Sequence, residues 1–395
     1  MSELNATNAP AKPPFWRDPE KRALAFQIVF LAIVLYIGYS LVNNTMTNLA
    51  SQGIASGFGF LSTNTGFAIA ETLIDYNESS TYLDSFFVGL LNTILVSVIG
   101  IFFATILGFS MGIARLSNNW LISRLAAIYV DTLRNIPLLL QLFFWYFAVL
   151  RPLPNPKQAI EFGSNLFLTN RGLFGPKPIY EAGFGWVAIG FVLAVIGTVV
   201  LFKWARRRQE ATGELFPVYR TALALLIGLP LVIAALNGFP MSWDIPVLKG
   251  FNFRGGMSLT PEFSSLVFAL SIYTSSFIAE IVRSGILAVD QGQTEAAFAL
   301  GIKPAWTTRL VVVPQALRVI IPPLTSQYLN LTKNSSLAAA IAYPDLVAVF
   351  AGTALNQVGQ AVEIMGMTLA VYLFLSLTIS FFMNWYNSKM ALVER

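Results

Sequence analysis

Residues Gly292 to Pro314 read GQTEAAFALGIKPAWTTRLVVVP, the longest mixed, amphipathic segment in a chain otherwise dominated by apolar runs. Thr294 is placed to cap a helix, and Glu295, Ala296 and Ala297 follow with good helix propensity. Gly301 and Pro304 then close a turn, after which a second short helix is expected from Pro304, carrying Trp306, Thr307 and Arg309. A helix–Gly–helix unit of this polarity cannot span a bilayer. Because it lies between two apolar segments, it is expected at the membrane surface, open to a soluble partner.

The composition around it agrees. Of 395 residues 55% are hydrophobic and only 11% charged, well below the quarter or so that soluble domains carry. The chain is therefore read as an all-α polytopic membrane protein. Its net charge of +5 gives no reason to expect nucleic acid, since the basic residues cluster between apolar runs. It contains neither cysteine nor histidine, so disulfides, thiol nucleophiles and imidazole bases or ligands are excluded. The polar, Pro-rich first 22 residues are not a cleavable signal, and the first apolar run is read as an anchor.

Eight spans are expected, at about 23–42, 86–114, 122–150, 185–202, 222–236, 262–282, 319–343 and 364–385, each approaching the length that crosses about 30 Å of hydrocarbon. Lys203-Trp204-Ala205-Arg206-Arg207-Arg208 is the clearest inside marker. With both termini inside, about 18 of the 25 Lys and Arg face the cytoplasm, as the positive-inside rule requires. The stretches 43–83, 151–184 and 237–259 are then polar outer loops. The third span is interrupted by Arg134-Asn135-Ile136-Pro137, and the seventh by Pro322-Pro323 and by Asn330-Leu331-Thr332-Lys333-Asn334-Ser335-Ser336. Such interruptions need protein or a cavity around them. Gly108 and Gly112 have the spacing that lets helices approach closely, a common pattern. Glu280 is one turn from Arg283 and is expected to pair with it, and Arg134 is expected to pair with Asp131.

Glu295-Ala296-Ala297, Gly301 after three residues, and Val311-x-Val313-Pro314 after nine more resemble the EAA loop of ATP-binding-cassette importer permeases, written EAA-x3-G-x9-I-x-L-P. Valine stands here for both Ile and Leu. The flanks, Tyr273 to Arg283 and Pro314 to Arg318, are similar to the polar-amino-acid branch of that family. So is Asp131-x2-Arg134-x2-Pro137 with Gln141, although the family usually has Glu first. Ala55-Ser56-Gly57-Phe58 and Arg134 to Gln141 resemble the general L-amino-acid importers of Gram-negative bacteria. The resemblance implies a type I importer permease of the inner membrane with a five-span core within 84–390. A tail (1–22), an extra span with its outer loop (23–83) and an insertion at about 151–260 are added to that core, and the coupling loop occupies about 290–314.

The same resemblance assigns Glu295, Ala296, Ala297 and Gly301 to contact with a separate ATPase. No G-x4-G-K-[ST] stretch occurs, so ATP and Mg are expected on that partner, this chain holding no cofactor or metal and catalysing nothing. The partners implied are two ATPase subunits, a second and shorter permease, a periplasmic binding protein, an L-amino acid and membrane lipid. Polar residues at membrane depth are the candidates for the substrate path. These are Gln327, Asn330, Lys333, Asn334, Ser335 and Ser336 on the seventh element, and Tyr273, Thr274 and Ser276 on the sixth, whose alternative role is to satisfy one another and the backbone. A secondary, ion-coupled amino-acid carrier is the competing reading. It has no need of an EAA surface, and the hydropathy shows no inverted repeat.

Overall fold

The computed structural model describes residues 18–51, 53, 56–163 and 165–390. Most of the N-terminal tail, Ala55 of the Ala55-Ser56-Gly57-Phe58 motif, and Arg395 lie outside the described residues. In chain order the helices are α1 (Pro19–Ser51), α2 (Tyr82–Arg115), α3 (Trp120–Asn135) and α4 (Leu138–Phe143), which runs on as a π-helical stretch Phe144–Leu150. Next come α5 (Phe184–Thr212), α6 (Val218–Leu236), α7 (Pro261–Leu287), α8 (Gln291–Ala299) and α9 (Pro304–Thr307). The last is joined through a π turn, Thr308–Val312, to α10 (Val313–Asn334). A 3-10 stretch Ser335–Ile341, a π-helical stretch Val347–Ala354, α11 (Leu355–Val358) and α12 (Ala361–Met390) complete the chain.

Six helices among the described residues are long and apolar enough to cross a membrane, seven when the bent pair around Pro137 counts as one span. That pair, α3 with Leu138–Leu150, is bent by 107°, because proline at 137 removes a donor and drives Ile136 out of the helical region, to φ −98° and ψ 125°. The remaining expected span, the seventh at about 319–343, corresponds to α10, which is 22 residues long but interleaves Gln315, Arg318, Gln327, Asn330 and Lys333 with its apolar positions. Pro322 and Pro323 do not break it; both lie inside the helix on its exposed side. Ile320, Ile321 and Leu324 on the opposite side are buried and hold the rod against α7, which is how spanning helices tolerate proline.

The expected outer loops contain strands. β1 (Ile160–Phe162), β2 (Leu166–Thr169), β3 (Gly172–Gly175) and β8 (Met257–Leu259) form one antiparallel sheet in that order. β4 (Lys177–Tyr180) pairs with β5 (Met241–Asp244), and β6 (Val247–Lys249) pairs with β7 (Asn252–Arg254).

The chain divides into two compact units. One comprises residues up to Thr93 together with Pro344–Leu377. Its core gathers Phe60, Tyr82, Phe86, Leu346, Phe350, Ala354 and Ile364, with Phe86 edge-on to Phe350 at 5.1 Å. The Tyr82 hydroxyl donates to Gln357 Oε1 (2.8 Å), and the Gly57 N–H donates to Glu363 Oε1 (2.6 Å). Asn92 Nδ2 donates to the carbonyls of Glu71 and Pro344. α1 makes no comparable core: none of its most apolar window is buried.

The other unit, Ile94–Tyr343 with residues from Thr378 on, is built around α7. Two-thirds (67%) of the most apolar window of α7 is buried, against 11% for α5. Gly108 and Gly112 of α2 face it. A Cβ at Gly108 would lie 2.5 Å from Ile278 Cγ2, and one at Gly112 would lie 2.7 Å from the Ala279 carbonyl oxygen. The Gly-x3-Gly spacing therefore does set a close helix contact. Two hydroxyl pairs tie neighbours to the same bundle, Tyr129 with Ser275 (2.7 Å) and Tyr328 with Thr105 (2.8 Å).

Candidate functional site

The loop after α7 opens on a capped helix and turns at a glycine. Asp290, not Thr294, caps α8: its Oδ1 accepts from Gly292 N at 2.6 Å, and Thr294 lies within the helix. Aspartate three residues beyond the end of α7 starts the helix one turn earlier than the sequence pattern indicates. At the other end Gly301 takes φ +76°, its N–H donates to the Phe298 carbonyl (2.9 Å), and Ile302 N donates to the Ala297 carbonyl (3.1 Å). This pair of bonds is a Schellman closure, which glycine at that position makes without strain. Thr307, buried in α9, adds its hydroxyl to the Lys303 carbonyl (3.3 Å).

The sequence E-A-A splits by orientation. Glu295 and Ala296 are exposed, whereas Ala297 is 4% exposed and turned inward. Alongside Glu295 and Ala296 the loop exposes Phe298 (48%), Leu300 (79%), Trp306 and Leu310. That concentration of large apolar groups in a polar loop, with a carboxylate beside it, is the form of a contact surface.

Two turns before the end of α7, Glu280 gathers three arginines from three helices. Arg115 Nη1 of α2 donates to Oε2, Arg283 Nη2 donates to Oε1 at 2.7 Å, and Arg134 Nη1 of α3 stands 3.9 Å from Oε2. Asp131 is 3.6 Å from Arg115 Nη2. The expected Glu280–Arg283 pair is present. The expected Arg134–Asp131 pair is not. Arg134 turns instead to Glu280 and over the Phe277 ring, 5.2 Å from its centroid, because α7 supplies a more buried carboxylate than its own helix does. Arg115 is the member that sequence reading took only as the end of a span. Its position directly after an apolar run gave no sign of the tertiary partner.

The path candidates separate into two groups. Thr274, Ser276 and Ser335 are buried. The hydroxyls of Ser276, Ser335 and Ser336 each donate to a carbonyl three residues back, those of Tyr273, Thr332 and Lys333. Tyr273 is half-buried, with its ring 5.0 Å from Phe277. Gln327, Asn330 and Asn334 differ from these: they are partly or fully exposed, and no hydrogen bond of their side chains is made among the described residues. Spaced three and four apart, they form one stripe on α10, flanked on one side by Ser326 and Lys333 and on the other by the buried Leu324 and Leu331. No hydrogen bond links this stripe to the α7 candidates among the described residues.

Residues 217–392 match a family described as binding-protein-dependent transport system inner membrane component. The chain is 54% identical over 378 residues to the general L-amino acid transport system permease protein AapQ of Rhizobium johnstonii, covering 96% of this chain and 94% of that one. It is 55% identical to the putative amino-acid ABC transporter permease protein YhdX of Escherichia coli, covering 96% of both chains. The glutamate/glutamine/aspartate/asparagine transport system permease protein BztB of Rhodobacter capsulatus is 42% identical, again with 96% of both chains covered.

Proposed function

This chain belongs to the binding-protein-dependent transport system inner membrane components, and from that premise we propose how it works as the permease subunit of an amino acid ABC importer. A separate ATPase grips the loop at Glu295, Ala296, Ala297 and Gly301 from the cytoplasmic side, and L-amino acids cross the bacterial inner membrane along the α10 stripe. The observation that carries this reading is the exposed Glu295–Ala296 face with Phe298 and Leu300 beside it, on a turn closed tightly enough to transmit a push.

Two ATPase subunits holding ATP and Mg, a second and shorter permease, and a periplasmic binding protein complete the machine, with both termini of this chain in the cytoplasm. The core lies within 84–390, to which residues 23–83 add α1 and an outer loop, and about 151–260 add α5, α6 and strands β1 to β8. The stripe Gln327, Asn330 and Asn334 supports the path assignment. Unpaired amides on an exposed helix face are costly against lipid, and they suit the carboxylate and ammonium of an amino acid. Closure of the ATPases moves α8, and the permease halves rock between two openings.

Purified subunits in proteoliposomes test this. Uptake is expected only with the ATPase and ATP present; uptake that persists without the ATPase on an ion gradient would show a secondary carrier instead. In the same assay Asn330→Ala with Asn334→Ala is expected to raise the half-saturating substrate concentration about two- to tenfold, the range for lost hydrogen bonds. An unchanged value would remove both residues from the path.

A further inference from the structure

The α5–α6 hairpin carries a cleft that neither the coupling loop nor the path accounts for. From Phe184 to Phe202 α5 has no charged residue, a run of about 28 Å at 1.5 Å per residue, which nearly matches the hydrocarbon thickness. Lys203 therefore falls at its boundary. The helix continues to Thr212, and Arg220, just before the apolar run of α6, comes to the same level. Between the two helices opens a cleft of about 580 Å³, lined by Phe202, Lys203 and Arg206 of α5 and by Phe216 and Tyr219 where α6 begins. Phe202 and Tyr219 meet edge-on at 5.6 Å, and Trp204 and Phe216 at 5.2 Å.

Five cations (Lys203, Arg206, Arg207, Arg208 and Arg220) stand here against Glu210 and Glu214. Arg206 pairs with Glu210 (3.2 Å) and Arg208 with Glu214 (2.7 Å), both in exposed positions where such pairs hold weakly. Lys203, Arg207 and Arg220 have no ion pair among the described residues. We infer that this cleft is a binding site for an anionic phospholipid, its phosphate held by Lys203 and Arg206 and its glycerol and first methylenes laid on Phe202 and Tyr219. The charge surplus, the height of Lys203 at the edge of the hydrocarbon and the apolar wall beside it select a headgroup that arrives attached to a chain. Basic pockets between spanning helices take such headgroups. Assignment to the cytoplasmic leaflet rests on the topology proposed above.

The full chain in phosphatidylcholine vesicles containing brominated phosphatidylglycerol or brominated phosphatidylethanolamine tests the site. The signal is the Trp204 fluorescence, taken as the difference from Trp204→Phe. Half-quenching is expected at an about fivefold or greater lower mole fraction of the glycerol lipid, the factor that one basic side chain near an anionic surface supplies. The preference should vanish in Lys203→Gln with Arg206→Gln and persist in Lys203→Arg with Arg206→Lys. Equal quenching by the two lipids, or a preference that survives the glutamine pair, would overturn the site. Displacement by soluble glycerol phosphate would make it a site for a free anion. Since the chain has no native cysteine, Arg207→Cys reports sidedness through an impermeant maleimide on intact cells. Labelling from outside would overturn the leaflet and the topology together, independently of the quenching result.

Discussion

Glu280→Gln is expected to lower the stability of the folded chain by about 3 kcal/mol, the scale on which removing one member of a partly buried ion pair destabilises a protein. The side chains of Glu280 and Arg115 are 26% and 16% exposed, so water cannot fully replace the lost carboxylate. Three guanidinium groups would then share only Asp131, which is 62% exposed and reaches Arg115 alone, at 3.6 Å. Arg115→Ala should cost less, because Glu280 keeps its Arg283 bonds at 2.7 and 3.2 Å. The double variant should be less destabilised than the two single effects added together, as coupled neighbours are. Thermal unfolding in detergent measures all three. An unchanged midpoint in Glu280→Gln would mean that the cluster contributes nothing to holding α2, α3 and α7 together.

The second large effect separates function from stability. Glu295→Lys changes an exposed side chain, so the unfolding midpoint should stay put, within the roughly 0.5 kcal/mol of ordinary surface substitutions. Recovery of the ATPase with the permease should nevertheless fall steeply. Loss of a central interface residue costs about 2–4 kcal/mol, on the order of a hundredfold in affinity, and reversal of charge adds repulsion. Co-purification and ATP-driven uptake read the outcome. Full ATPase recovery with normal uptake would remove Glu295 from the contact.

Much of this architecture was legible in the residues. Apolar runs marked the spanning helices, and the E-A-A-x3-G spacing marked the loop. Gly301 was identifiable because only a residue free to take a positive φ closes that turn without cost. What could not be read was decided by neighbours rather than by local pattern. Pro322 and Pro323 predict a break, yet packing of Ile320, Ile321 and Leu324 against α7 keeps α10 helical. Arg134 has an acid one turn away in Asp131, and it is the tertiary approach of α7 that offers Glu280 instead. The strands in the loops are only three or four residues long, too short for an alternation to register. Among the path candidates the sequence could not distinguish Ser335 and Ser336, whose hydroxyls bond their own helix, from Asn330 and Asn334, whose amides do not.

From Pro304 to Asn334 the backbone stays helical through the π turn, so the loop at one end and the amides at the other belong to a single rod of about 46 Å. A rotation of about 5° at the Pro304 end would sweep Asn334 through about 4 Å, more than the width of a water molecule. On the way lie the π turn, Pro314, and Pro322 with Pro323, the prolines each removing a backbone donor. Whatever tilts the base of that rod resets the spacing of Gln327, Asn330 and Asn334 from their surroundings in the same stroke.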